Sequence, residues 1–388
     1  ATRVVQDVHT HIFNAQVWEP EEDYQWAIKK FSPPKEPLLI YEAHVGMALE
    51  EGRIGTYKEF EQKILPQIAA AGYTAIQLMA IQEHPYYASF GYHVANFFAP
   101  SSRFGTPEEL KHLVDAAHKI GISVFMDIVH SHAVNNEVEG IAKFDGTGFQ
   151  FFHDGVRGYH SQWDSRCFDY GKLEVLKFLL SNLKFWIQEF KIDGFRFDGI
   201  TSMLFEDHGL GRAFNGYEDY YGQDVDEAAL AYLYLANDLV HELAEGFVTI
   251  AEDVSGYPGL AAPISKGGTG FDYRFSMGIA DFWIKLLKDT QDEHWHLGTL
   301  WHELTTKRSE EKTISYAESH DQALVGDQTL MMHLMGQDIY TAMEKENDST
   351  KTRRGVALHK MIRLITIAPA DSGYLNFMGN EFGHPEWV

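Results

Sequence analysis

Acids and histidines gather at four places in this sequence, each at or just after a short apolar run. Asp127 lies in SVFMDIV with His132 five residues on, and Arg196 and Asp198 stand two apart in GFRFDG. Glu252 and Asp253 follow FVTIA, and Glu318-Ser319-His320-Asp321 follows ISYA. A lone acid of this kind is more often held by a neighbouring cation than used in chemistry, but four such groups make a set. Residues two apart on a strand point the same way, so a guanidinium at 196 favours the ionised form of a carboxylate at 198. An ionised, oriented carboxylate is a nucleophile. Glu252 follows an apolar run, and an acid partly withdrawn from water keeps its proton towards neutral pH. A protonated acid donates to a leaving oxygen. One acid pushed down and one pushed up is the pairing that hydrolysis or transfer at a glycosidic bond requires, the separation deciding the stereochemistry.

The elements that must hold these groups are legible in the alternation of short β-branched or aromatic runs with long helical patterns. Eight candidate strands lie near 38–44, 74–81, 123–130, 192–200, 247–253, 271–278, 314–319 and 374–379. Several are apolar throughout, as TAIQLMAI and FVTIA are, which is expected of strands covered on both faces. Between them, TPEELKHLVDAAHKIG carries a capping box of Thr106 and Glu109, Pro107 in the first turn and Gly121 as its stop. Its apolar stripe is Leu110, Leu113, Val114, Ala117 and Ile120. The segment 172–191 spaces Val175, Leu176, Leu179, Leu180, Leu183, Trp186, Ile187 and Phe190 on one face. Eight strands with intervening helices predict an α/β chain folded as a (β/α)8 TIM barrel, with a doubly wound open sheet as the competitor. In such a barrel, catalytic groups sit at the C-terminal strand ends. No GxGxxG or GxxxxGK[ST] loop follows the first strand, so neither a dinucleotide nor ATP is expected. The stretch 131–170 reads as an elaborated loop above the third strand, and 1–37 as a connector.

Composition sets the outer bounds. The chain has 388 residues, 45% hydrophobic and 23% charged, an ordinary mixture for a folded globule. Its formal charge of −24 repels phosphate backbones and anionic lipid, so nucleic acid and membranes are not expected partners. Neutral substrates feel no such repulsion, and 26 Phe, 19 Tyr and 8 Trp supply flat faces on which sugars stack. A single cysteine, Cys167, excludes an intrachain disulfide and fits a reducing cytosol or plastid stroma.

MDIVHSH, GFRFDG, TIAED and ESHD, in this order, resemble the four signature regions of the α-amylase superfamily of retaining α-glucan enzymes. YEAHVG (41–46), SFGYHVANFFAPSSRFGTPEEL (89–110), RFDGITSM (196–203), AESHDQALVGD (317–327) and GNEFGHPEW (379–387) resemble glycogen and starch branching enzymes of the eukaryotic type. The resemblance implies that Asp198 is the nucleophile, Glu252 the general acid/base and Asp321 a third acid holding sugar hydroxyls. It implies that His132 and His320 bond hydroxyls of the cleaved sugar, that Arg196 orients Asp198, that Tyr92 stacks under that sugar and that Asp127 braces Arg196. His130 reads as structural, and Trp163, Asp164 and Arg166 resemble a loop on the donor-chain side. The implied partner is an α-glucan such as glycogen, amylose or amylopectin, cut at an α-1,4 bond and rejoined as an α-1,6 branch, with no cofactor. An amylase-like hydrolase and a catalytically silent glucan-binding protein are the competing readings.

Two positions depart from the amylase pattern. Ser131 stands where many amylases place an Asn that binds calcium, so no structural calcium is expected. Thr201 and Ser202 stand where a Lys-His pair often grips the sugar on the leaving side. The chain starts at Ala1 and stops at Val388, soon after the eighth strand. A missing N-terminal β-sandwich, a missing C-terminal β-domain and a barrel lacking its eighth helix, truncated with apolar faces exposed, are therefore expected.

Overall fold

The computed structural model describes residues 2–20, 22–34, 37–326, 328–346 and 349–384. Asp327 and 385–387, which belong to two of the quoted motifs, lie outside the described residues. All eight candidate strands form: β1 (Leu38–Ala43), β2 (Ala75–Leu78), β3 (Ser123–Ile128), β4 (Gly194–Phe197), β5 (Val248–Ala251), β6 (Tyr273–Phe275), β7 (Thr313–Ser315) and β8 (Gly373–Phe377). Every neighbour in the closed barrel is parallel, and β8 returns to β1 with Gly373 opposite Leu38 and Phe377 opposite Glu42. All eight strands end one to four residues before the runs read from the sequence do. The residues left over at the C-terminal ends become the loops that carry Asp198, Glu252 and His320.

The barrel is filled, not hollow. Leu38, Ile40, Ala75, Phe125, Ile250, Tyr273, Phe275, Ile314, Tyr316 and Leu375 form one buried cluster in its lumen. Two glycines make room for it. A Cβ on Gly194 meets the Phe125 ring at 2.6 Å, and one on Gly373 meets the Leu38 carbonyl oxygen at 3.0 Å. Outside, α1 (Pro107–Lys119) begins with the expected capping box, and its buried residues include Leu110, Leu113, Val114 and Ala117. The longer α2 (Leu173–Phe190) buries Val175, Leu179, Leu183, Trp186, Ile187 and Phe190 against the barrel, while Leu176 and Leu180 are only partly covered. It lies against α3 (Glu227–Leu243).

Two segments carry more order than their sequence suggests. Within 1–37, Thr2–Gln6 pairs with Phe13–Val17 as an antiparallel hairpin. The segment after it is bound to the barrel flank: Asp115 accepts the N–H groups of Ala27 (2.8 Å) and Ile28 (3.0 Å), and Trp18 donates to Glu108 at 2.7 Å. Within 131–170, His132–Val134, Ser165–Cys167 and Tyr159–His160 make a three-stranded antiparallel sheet over the mouth of the barrel. Among the described residues no helix follows β8, and a cleft of about 900 Å³ lies there, lined by Tyr41, Met47, Ile64, Met378 and Phe382 among others. None of the described helices is long and apolar enough to cross a membrane.

Candidate active site

Arg196 is the hub. It is the third residue of β4, and its side chain is only 2% exposed, so its charge must be matched within the protein. Nη1 donates to Asp127 at 2.9 Å and to Asp198 at 3.0 Å, while Nη2 lies 3.9 Å from Glu252 and 3.7 Å from Asp321. One guanidinium thus faces four carboxylates delivered by β3, β4, β5 and the turn after β7. The spacing expected from Arg196 and Asp198, two apart and pointing the same way, is realised as a direct ion pair.

Glu252 follows β5. Its N–H bonds to the Phe197 carbonyl at 3.1 Å, and its Oε2 accepts the N–H of Gly199 at 2.5 Å. Burial, reinforced by the Asp198 and Asp321 charges and opposed by Arg196, pushes this carboxyl from an ordinary 4.5 up to about 8. It therefore holds its proton at neutral pH. Gly199 has φ +65° and passes close to Ser131 and Trp163, so only a glycine presents its N–H to the acid without strain.

Asp127 is fully buried, and burial raises it to about 6 against the pull of Arg196. Its Oδ2 accepts from Arg196 and from the Tyr92 hydroxyl at 2.6 Å, whereas Oδ1 has no partner among the described residues. The Tyr92 ring lies parallel to His320, with centroids 5.1 Å apart and planes 10° apart. His320 is buried, which disfavours its charge, but Asp321 and Glu42 outweigh that and lift it to about 9. His132 differs: burial lowers it, and both ring nitrogens have protein partners, Ser131 Oγ and the Tyr92 carbonyl, each at 2.9 Å. A sugar hydroxyl reaching His132 would have to displace one of them. His130 bonds Asn182 at 2.9 Å and the Tyr232 hydroxyl at 2.5 Å inside the wall, the structural part its sequence position suggests.

All eight residues named from the sequence, Asp198, Glu252, Asp321, Tyr92, Asp127, His132, Arg196 and His320, converge on one mouth of the barrel. Thr201 does not replace a sugar-gripping lysine. Its hydroxyl donates to the buried Asp253 at 2.6 Å, and Asp253 in turn takes Arg274 at 2.7 Å, a network that ties the loop after Glu252 to β6. The Ser131 hydroxyl is occupied by His132, and among the described residues no cluster of three His, Cys, Asp or Glu is arranged to hold a metal ion. Two further participants are Trp163, which the sequence offers only as part of a donor-side loop, and Glu42, which the sequence reading does not single out. Trp163 stacks on His160 (3.8 Å between centroids, 15°) and covers Gly199. Glu42, in YEAHVG, receives both the ring and the backbone N–H of His320. An acid in an otherwise apolar strand was the available signal for it.

Comparison with known proteins agrees with this architecture. The family model described as "Alpha amylase, catalytic domain" matches residues 49–147. A maltogenic α-amylase from Thermotoga neapolitana superposes with a TM-score of 0.60 over 90% of this chain and 69% of its own, at 18% identity, a likeness of fold alone. A protein of Yarrowia lipolytica named 1,4-alpha-glucan-branching enzyme is 56% identical over 404 aligned residues, covering 100% of this chain and 58% of the relative. One of that name from Felis catus is 57% identical across 96% of this chain and 53% of its own. In Arabidopsis thaliana, 1,4-alpha-glucan-branching enzyme 2-2, chloroplastic/amyloplastic, is 55% identical across 97% of this chain and 47% of its own. The chain spans about half the length of the curated relatives it matches. With that identity along its whole length, on a barrel of the α-amylase kind, the chain belongs to the family of 1,4-alpha-glucan-branching enzymes.

Proposed function

We propose that this site cleaves α-1,4 bonds of a glucan by a retaining double displacement and transfers the freed segment to a 6-hydroxyl, forming an α-1,6 branch. The observation that carries the reading is the pair of unlike carboxyls at one guanidinium. Asp198 is ion-paired to Arg196 at 3.0 Å, while Glu252 keeps a proton up to about pH 8. In the first step Asp198 attacks the anomeric carbon as Glu252 gives its proton to the departing 4-oxygen, leaving a glucosyl ester on Asp198. In the second, the Glu252 carboxylate takes the proton of an incoming 6-hydroxyl, whose oxygen displaces Asp198. Two inversions retain the configuration, which calls for a carboxyl separation of about 5–5.5 Å. Arg196 orients Asp198, Asp321 and His320 hold hydroxyls of the cleaved sugar, Tyr92 forms the floor beneath it, and Asp127 braces both Arg196 and Tyr92. His132 closes that side of the pocket.

Neutral glycogen, amylose and amylopectin suit a chain of formal charge −24, and the branching enzymes it resembles bear the name of this reaction. Transfer in place of hydrolysis rests on how firmly the acceptor chain is held, and the absence of a Lys-His pair at 201–202 distinguishes the leaving side from that of a simple amylase. A reducing cytosol or plastid stroma is the compartment this reading places it in. Incubation of the intact protein with amylose tests it. Iodine absorbance should fall while few reducing ends appear. Reducing ends rising in step with the loss of colour would make it a hydrolase, and an Asp198→Ala variant of undiminished activity would remove the assigned nucleophile.

A further inference from the structure

Of the carboxylates in this site, Glu42 alone makes no contact with Arg196. It is the last inward-facing residue of β1, above Leu38 and Ile40, and its side chain is 1% exposed. Both its oxygens go to one residue 278 positions away: Oε1 accepts from His320 Nδ1 at 2.6 Å, and Oε2 accepts the His320 backbone N–H at 3.1 Å. The other ring nitrogen, Nε2, lies 3.3 Å from Asp321. The imidazole is thus gripped edge-on between two acids, with Tyr92 parallel to its face.

We propose that Glu42 is a positioning residue of this site, clamping His320 from the first barrel strand and holding the ring as an imidazolium whose Nε2–H is directed at Asp321 and the sugar pocket. The physical grounds are two. A carboxylate so thoroughly buried requires a cationic or strongly donating partner, and among the described residues His320 supplies both of its hydrogen bonds. A carboxylate on one imidazole nitrogen selects the tautomer, fixes the ring plane and stabilises the charge when the ring is doubly protonated. The clamp also explains why the chain leaving β7 turns where it does. The backbone N–H of His320 is tied to β1, so Asp321 enters the cleft from a point anchored on the strand beyond β8, next but one to β7 in the barrel.

The groups facing His320 are Glu42 and His44 from β1 and the turn after it, Tyr92, Asp127 on β3, Arg196 on β4 and its neighbour Asp321. Of these the carboxylates favour the cation, and Arg196 opposes it. Removing the Glu42 charge while keeping a hydrogen-bond acceptor, as in Glu42→Gln, leaves His320 to lose its proton about one to three pH units earlier. The inference deepens the proposed glycosidic chemistry and uses it for its kinetic readout.

The test compares intact wild type, E42Q, E42D, H320Q and E42Q/H320Q, following kcat/KM on amylose against pH by iodine absorbance, and following thermal stability. In wild type the alkaline limb is set by the Glu252 proton. In E42Q it should move lower, by up to about two pH units, because His320, brought down from about 9, now titrates with or ahead of Glu252. E42D retains the charge and should keep the limb near its wild-type position, with a reduced kcat from the shortened reach. In H320Q the buried Glu42 carboxylate is stranded, so adding E42Q should raise the Tm and lower kcat/KM by less than about twofold. An E42Q limb coinciding with wild type overturns the proposal, as does an E42Q/H320Q protein no more stable than H320Q. The stability comparison decides the matter even if E42Q alone does not fold. Should wild type release reducing ends as fast as it loses iodine colour, the transfer reading fails, yet the pH limbs still judge Glu42.

Discussion

Replacing Glu252 by Gln should sharply reduce activity and stabilise the protein, and the stabilisation should grow with pH. The folded-state value of about 8 exceeds the ordinary 4.5 by about 3.5 pH units, each worth about 1.4 kcal/mol. The sign follows from proton binding. Between 4.5 and 8 the native protein holds a proton that the unfolded chain has released, so native stability falls as pH rises through that window. Below it both states are protonated and the cost vanishes. A ceiling of about 5 kcal/mol at pH 8 follows, and water reaching a side chain that is 13% exposed lowers the expectation to about 2–4 kcal/mol. Glutamine is neutral at every pH and retains an oxygen for the Gly199 N–H. Calorimetry of both proteins from pH 4 to 9 should therefore show similar Tm values at the acid end. E252Q should gain about 2–5 °C at the alkaline end, with transfer from amylose reduced about 10²–10⁴-fold. A Tm difference that is the same at pH 5 and pH 8.5, or an E252Q protein that transfers at close to the wild-type rate, would falsify the assignment of a held proton to Glu252.

Three further substitutions probe the remaining parts of the site. Arg196→Lys removes the fork that faces four acids and leaves buried carboxylates short of a partner, so a loss of about 3–5 kcal/mol is expected in chemical denaturation, and wild-type stability would contradict it. Tyr92→Phe deletes the 2.6 Å bond to Asp127 but keeps the ring, costing about 1–2 kcal/mol, whereas Tyr92→Ala should also raise KM for amylose several-fold, and equal KM values in the two variants would exclude a floor beneath the sugar. Gly199→Ala forces a Cβ to within 2.9 Å of Ser131 Oγ at φ +65°, which should cost about 1–2 kcal/mol and, by moving the N–H off Glu252, alter the alkaline limb of kcat/KM; an unchanged limb would show that this bond does not tune the acid.

The barrel was legible because its strands are buried on both faces. In β3 all six residues are buried, and such runs stand out in sequence as continuous apolar stretches. The capping box at Thr106 is a local device read from four consecutive residues, and it forms as expected. Asp198 directly follows the strand that carries Arg196, so period-two geometry was enough to pair them. The small sheet within 131–170 was not legible, because strands of two or three residues carry too few side chains to establish a period. The hairpin within 1–37 escaped for a similar reason: its second strand is almost entirely exposed and shows no buried stripe.

Which acids and histidines this chain possesses, and that they stand at strand ends, followed from residue order alone, since one dimension suffices to specify a run and what comes after it. Which of them share a proton, a cation or a hydrogen bond depended on closure of the barrel. Closure brings Glu42 to His320 across 278 residues and places Glu252 in the surroundings that hold its proton to about pH 8. Electrostatic interaction depends on distance and on exclusion of water, and both are properties of the folded space between strands rather than of the order along them.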